Sequence, residues 1–378
     1  MRPATGGSRA ASLLLVKTWA TVAWAIEHYP RPRHRARQRA LRRRPADYAF
    51  GPSVRLRVGG SARARAHFDR EYGPAAASCG TPEVEADVRF ALSEKGAANV
   101  LTGGGHKTAH WRVELGDPRE RTLHVAIGVS GGPPAFAFSL VQGYHVEPLV
   151  AMALARAGFV ALPSAGILCA DGALVVMGRS GSGKSSVSVR ALAGGRGILG
   201  DDQVVIAADG GCWPYPRRLR LYPDVQDTAP EAWCRLRPST RRTLRVRGAV
   251  RRASRGFVAP SLAVPISELR PPVPNERVRA ARLVVVERSS EVQVLTERER
   301  DAGWAAQEAG RVLDEQRTRF SEVADPRWAA ALQDTAERES EVLRAWLQPL
   351  PIVQLRIPGA WDAPRAVAAL ADRLGTDC

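Results

Sequence analysis

The sequence predicts an α/β fold in which a β-rich N-terminal domain over 46–145 precedes a strand–loop–helix core over 146–378. Three observations carry that expectation. Apolar and polar residues alternate in SVRLRVGG, EVEADVRFAL, HWRVEL and TLHVAIGV, with glycine and proline between them, the pattern of half-buried strands. A helical period runs through VEPLVAMALARAGFVAL at 146–162 and through the Ala-, Glu- and Arg-rich stretch at 296–347. Between these two, at 174–206, LVVMGRSGSGKSSVSVRALAGGRGILGDDQVVI takes an apolar run into a glycine-rich turn and closes on two adjacent aspartates.

Taken in order, residues 1–45 read as a basic N-terminal arm. Its apolar stretch SLLLVKTWATVAWAI falls short of the roughly 20 apolar residues a membrane-crossing helix needs, and Lys17 interrupts it. The following RPRHRARQRALRRR at 31–44 is a solvated basic run, with contact to an anionic membrane surface as the sharper alternative. Nucleic acid is not expected there, because no aromatic residues interleave with the arginines. LTGGGHKTAH reads as a hairpin turn carrying His106 and Lys107. Glu147–Pro148 suits a first helical turn and Gly158 a stop, and ILCADGALVVM reads as a hairpin turning at Asp171–Gly172. The arginines of 235–255 read as a solvated loop, with docking of an acidic acceptor as the alternative. ARLVVVE at 281–287 is a buried strand. The helical insertion at about 296–347 breaks at Asp325–Pro326, with Asp325 as N-cap and Pro326 in the first position. PIVQLRI forms a last strand and 363–374 a closing helix.

The formal net charge is +17, carried by arginine, since lysine occurs only at Lys17, Lys95, Lys107 and Lys184. Arginine bias of a GC-rich genome accounts for much of it, and a positive surface also attracts polyanions. The five cysteines are scattered, without metal-ligand spacing or the density of a disulfide framework. These features predict a cytoplasmic protein, with peripheral membrane contact only through the arm.

GRSGSGKS satisfies G-x-x-x-x-G-K-[ST] at Gly178, Gly183, Lys184 and Ser185, with a strand before it and a helix after it. The glycines let successive N–H groups of Arg179, Ser180, Gly181, Ser182, Gly183 and the first helical residues through Ser186 converge on phosphate oxygens. Lys184 would reach the outer phosphates of ATP, and Ser185 would offer its hydroxyl to Mg2+. Asp201 and Asp202 follow after only 16 intervening residues, room for one helix and a turn. Carboxylates beside such a loop hold the metal or accept a proton from an attacking hydroxyl, and the sequence leaves open which aspartate does which. Arg217, Arg218 or Arg220 could neutralise charge on a transferred phosphoryl group.

These residues resemble the HPr kinase/phosphorylase-like family. MGRSGSGKSSVSVRALAGGRGILGDDQVVI is similar to its phosphate loop, helix and Asp-Asp strand; EPLVAMALARAGFVALPSAGI to its preceding helix and entering strand; and LPIVQLRI to its closing strand. The resemblance implies a P-loop core like the C-terminal domain of those kinases, catalytic roles for Lys184, Asp201 and Asp202, and ATP-dependent phosphorylation of a serine hydroxyl on a protein or peptide. The family carries a histidine on the entering strand, where this chain has Pro163, Ser164 and Ala165, and His145 reads as a surface or core residue. Two other readings therefore stand beside the kinase: a P-loop ATPase or nucleotide-dependent switch, and a non-catalytic assembly protein. The expected partners are ATP, a hydroxyl-bearing acceptor and a second copy of the chain.

Overall fold

A computed structural model describes residues 45–73, 82–90, 100–255, 261–273, 275–321 and 325–375. The basic arm, with its membrane reading, lies outside the described residues. The chain is a mixed α/β structure with several sheets.

The first sheet has the order β1-β2-β3-β6-β5-β4. Its strands are β1 (Ala46–Phe50), β2 (Val54–Gly60), β3 (Val84–Phe90), β4 (Val100–His106), β5 (Ala109–Leu115) and β6 (Thr122–Ser130). The alternating segments of the sequence supply β2, β3, β5 and β6. β2 runs parallel to β3, so the chain must cross over between them, and helix Ala62–Tyr72 lies in that connection. The sequence reading had no helix there; Ser61 caps it through its side-chain oxygen. GGGHKTAH is the expected hairpin, turning at Lys107 with φ +56°.

After β6, helix Pro134–Val141, a π-helical turn Gln142–Val146 and helix Glu147–Arg156 follow one another directly. Glu147 and Pro148 open the last of these, and Gly158 (φ +79°) turns the chain out of it. These helices bury their apolar faces against the first sheet, in a core that also takes in Val205, Trp213, Tyr215 and Trp328 from beyond it.

The second sheet contains β7 (Phe159–Leu162), β8 (Ser164–Cys169), β9 (Gly172–Gly178), β10 (Ile198–Gly200), β11 (Val204–Ala207) and β12 (Gly211–Pro214). A two-stranded sheet pairs β13 (Leu219–Leu221) with β14 (Leu262–Val264). The long β15 (Val278–Ser289) returns to the large sheet, followed by β16 (Thr296–Glu299) and β17 (Ile352–Pro358). β9 and β17 flank β15, both parallel to it. A parallel trio needs cover on both faces, and these strands are correspondingly apolar on both. Leu174, Val176, Val284 and Val286 face helices Lys184–Ala193 and Ala363–Arg373, while Val175, Met177, Leu283 and Val285 face helices Ala302–Ser321 and Pro326–Leu347.

The β8–β9 hairpin has Cys169 opposite Gly172, so Ala170 and Asp171 are its turn, one residue earlier than the sequence reading. Asp325 caps the last long helix as expected, accepting from the amides of Arg327 and Trp328. One expectation is corrected. The arginines of 235–255 do not form a loop: helix Pro238–Ala253 carries most of them. Arginine is a good helix former, Pro238 suits a first turn, and Leu244 with Gly248 gives the helix a buried seam. Among the described residues, no helix is long and apolar enough to cross a membrane.

Candidate functional site

β9 ends at Gly178, where the backbone passes so close to β15 that a Cβ would stand 2.3 Å from the carbonyl oxygen of Val286. The chain then turns through Arg179, Ser180, Gly181, Ser182 and Gly183. Gly181 (φ +82°) and Gly183 (φ +104°) occupy left-handed backbone that strains any other residue. Gly183 starts helix Lys184–Ala193, whose first amides, those of Lys184, Ser185 and Ser186, have no acceptor within the helix. The turn therefore gathers N–H groups and the positive end of a helix at one place.

Lys184 is only 9% exposed. Its side chain folds back over the turn, and Nζ donates to the carbonyls of Gly178 and, at 3.1 Å, Arg179. Burial lowers its pKa, an effect that the charges of Asp202 and Asp201 oppose. Ser182 Oγ is buried in the turn without a hydrogen-bond partner among the described residues. A buried hydroxyl with no partner is costly unless a ligand satisfies it. Arg179 and Ser180 are exposed, and Arg179 reaches toward Glu315 at 4.0 Å.

Asp201 and Asp202 follow β10. Ser185 Oγ donates to the main-chain carbonyl of Asp201 at 3.4 Å, which ties the helix start to the aspartate pair. The Asp201 side chain is buried, and its Oδ2 accepts from the backbone amide of Arg220 at 3.1 Å. Burial, reinforced by the neighbouring Asp202 charge, pushes its pKa up to about 6. The Asp202 carboxylate is half exposed and accepts from Arg217 Nη1 at 2.8 Å.

Arg217 and Arg220 extend this site into the first layer. Arg217 Nη1 also donates to Glu147 at 3.3 Å. Glu147 in turn accepts from Gln142 Nε2 at 2.9 Å and Tyr72 Oη at 3.3 Å, and His67 Nε2 meets the Gln142 side-chain carbonyl at 2.8 Å. Arg220 Nη2 donates to the buried Glu71 at 3.1 Å. Burial works against the Arg217 charge, yet Glu147 and Asp202 keep its pKa well above the usual guanidinium range. Burial likewise holds the His67 imidazole down to about 4.

On the other side of the turn lies an open cleft of about 520 Å³, bounded by Gly178–Ser182, the end of β15 and helix Ala302–Ser321. Glu287, Trp304, Glu308, Arg311 and Gln354 line it. Gln354 Nε2 donates to Glu287 at 2.8 Å, and the Arg300 guanidinium lies 4.7 Å from the centre of the Trp304 ring.

The structure thus brings Lys184, Ser185, Asp201 and Asp202 together around the turn. Arg217 and Arg220 join them. His106 and Lys107 stand at the tip of the β4–β5 hairpin, and His145 is buried in the π-helical turn. Sequence reading missed Glu147, Glu71, Trp304 and Glu287. Only Glu287 carried a legible signal, as the acid ending the apolar run LVVVE.

A comparison with protein-family models finds no family that matches the chain, and a comparison with curated proteins finds no match. Chemically, the arrangement offers amides, an ammonium and an unpartnered hydroxyl for an anion. Two carboxylates beside a clamped guanidinium can hold a cation or take up a proton.

Proposed function

We propose that this chain is an ATP-dependent phosphotransferase built on a P-loop core like that of the HPr kinases. It would transfer the γ-phosphoryl group to a serine or other hydroxyl on a protein, peptide or small molecule. The observation that carries this reading is the convergence, at the turn between β9 and its helix, of Lys184, the unpartnered Ser182 hydroxyl and the Asp201–Asp202 pair.

The turn at 178–186 binds the phosphates through its amides, and Lys184 trades its loop carbonyls for phosphate oxygens. Ser185 and Asp201, with Asp202 beside them, would hold Mg2+, an ion that takes one or two carboxylates and otherwise phosphate oxygens and water. When bound, it supplies charge neutralisation on the phosphates. Asp202, half exposed, is the carboxylate an acceptor can reach, and Asp201, buried beside Ser185, is the metal-side group. In the transfer, the acceptor oxygen bonds to the γ-phosphorus and the bond from that phosphorus to the bridging oxygen breaks. The hydroxyl proton passes to Asp202, and ADP leaves. Arg217 orients Asp202, and the cleft at Trp304 takes the nucleoside.

The test uses γ-labelled ATP and Mg2+ in an extract of the host, with wild type beside Lys184→Ala. A discrete labelled acceptor that vanishes in the variant supports the kinase. Label appearing solely as free phosphate, lost in the variant, supports the second reading, an ATPase or nucleotide-dependent switch. One observation favours that alternative: Glu287 lies on β15 one residue past the last pair with β9, at the cleft beside the turn, where a carboxylate can orient a water.

A further inference from the structure

Between β13 and β14 the chain leaves its sheet as helices Val225–Thr228, Pro230–Arg235 and Pro238–Ala253. The last of these fully buries only Leu244 and Gly248. Along the edge of that buried seam Arg241, Arg245 and Arg252 recur at i, i+4 and i+11, which aligns them in one stripe beside Gly248, with Arg245 and Arg252 exposed, Arg241 half-buried and the exposed Arg242 further round the helix. Among the described residues no carboxylate pairs with any of these four. Arg245 lies with its guanidinium 5.3 Å from the centre of the Trp233 ring, a contact that directs the side chain and leaves its charge intact. Alongside the stripe, Ala249, Ala253 and Val246 form a small exposed apolar crown, Val246 at 42% exposure.

This helix sits close to the aspartate pair. Its Gly248 packs on Pro223, where a Cβ would stand 3.3 Å from the Pro223 side chain. Pro223 is three residues beyond Arg220, whose amide holds Asp201. Three residues reach at most roughly 10 Å, and a helix radius with side chains adds about 5 Å. The arginine stripe therefore lies on the order of 15 Å from Asp201, the span of about four or five extended residues.

We infer that the arginine stripe Arg241–Arg245–Arg252 docks the phosphoryl acceptor as an acidic polypeptide segment, with its carboxylates a few residues from the hydroxyl that reaches Asp202. This rests on the phosphotransferase reading. Carboxylates match the planar donor fork of arginine, and several in one segment complement an unneutralised row. A nucleic acid fits the helix less well, because PSTRRTLRVRGAVRRA has no aromatic residue to stack on bases. A membrane fits less well too: among the described residues of this region, Val246 and Tyr222 are the large apolar side chains exposed, little to insert among lipids.

The test measures binding to the full chain without nucleotide. The probes are a labelled peptide with one serine and glutamates three to six positions from it, its glutamine counterpart, an oligonucleotide of equal charge, and phosphatidylserine vesicles. The glutamate peptide is expected to bind best. R241E/R245E/R252E should weaken it at least tenfold while leaving MgATP affinity unchanged, with R241Q/R245Q/R252Q intermediate and the exposed control Arg298→Glu without effect. Equal peptide affinity in wild type and triple variant would overturn the inference. So would equal binding of the glutamine peptide, or tighter binding of the oligonucleotide or the vesicles. If MgATP does not bind wild type but the peptide result holds, the docking assignment stands and the phosphotransferase reading falls.

Discussion

The two flanks of the glycine-rich turn are built differently. On the aspartate side, charges are buried and tied to partners far along the chain: Arg217 to Glu147 across 70 residues, Arg220 to Glu71 across 149. On the cleft side, Arg311 pairs with Glu308 one helical turn away, and Glu287 is held by the buried Gln354 and, more loosely, Arg356, the charged groups themselves keeping contact with solvent. Exposed local pairs contribute about 0–1 kcal/mol, whereas removing one partner of a buried pair costs about 3–5 kcal/mol. The aspartate flank is thus a preorganised frame in which charges keep their places before any ligand arrives. The cleft flank can adapt to its occupant.

The largest effect expected is on the turn that both flanks share. Lys184→Ala should reduce MgATP turnover by about 100-fold or more, as loss of a cation aimed at transferring charge does. A steady-state assay of labelled phosphate checks it.

Next, Arg217→Ala should destabilise the fold by about 3 kcal/mol, because Glu147 loses a buried counterion and Asp202 its partner. Arg311→Ala on the cleft flank should stay within about 0.5 kcal/mol of wild type. Urea denaturation of both variants measures this, and equal losses would erase the distinction between the flanks.

Protonation sharpens the comparison further. His67, held down to about 4, stays neutral in the fold while the unfolded chain charges below its ordinary value of about 6.5, so its contribution to stability is lost as pH falls from there. Asp201, pushed up to about 6, behaves oppositely: the fold takes up its proton before the unfolded chain does, so its contribution grows as pH falls from about 6 toward 4. The two oppose each other in wild type. Asp201→Asn should leave the His67 effect uncompensated, giving a steeper fall in urea midpoint between about pH 6 and 4 than wild type shows. Parallel curves would mean that Asp201 titrates as an ordinary carboxyl.

A smaller effect on binding than that of Lys184→Ala belongs to the cleft. Trp304→Ala should weaken ATP about tenfold, the scale of one lost base–aromatic contact, and leave tripolyphosphate unchanged. Equal losses for both ligands would place Trp304 in support of the turn rather than of the nucleoside.

How much was legible follows the same division. The turn, its helix and the Asp pair lie within 178–202, and local chemistry writes them plainly: left-handed glycines, a lysine at the helix start, two acids at a strand end. The frame around them was not legible. Glu147 reads as a first-turn acid, and Glu71 carries no reading in the sequence; both gain their roles when the first layer folds onto the second. Helix Pro238–Ala253 was hidden by its own composition, since six arginines obscure a seam of only Leu244 and Gly248. Strand alternation was easy to read where one face is solvated, as in β2 and β5. Helix Ala62–Tyr72 was not, because its apolar face is spread among Ala64, Phe68 and Tyr72 between charges.

The central claim is that the turn after β9 is a phosphate site completed by Lys184 and the aspartate pair. Calorimetric titration of the full chain with MgATP tests it most directly, with Lys184→Ala and Asp201→Asn run beside wild type. The account predicts saturable one-to-one binding by wild type, weakened at least tenfold in Lys184→Ala, and a loss of the Mg2+ dependence in Asp201→Asn. No binding by wild type, or equal affinity in all three proteins, would contradict it.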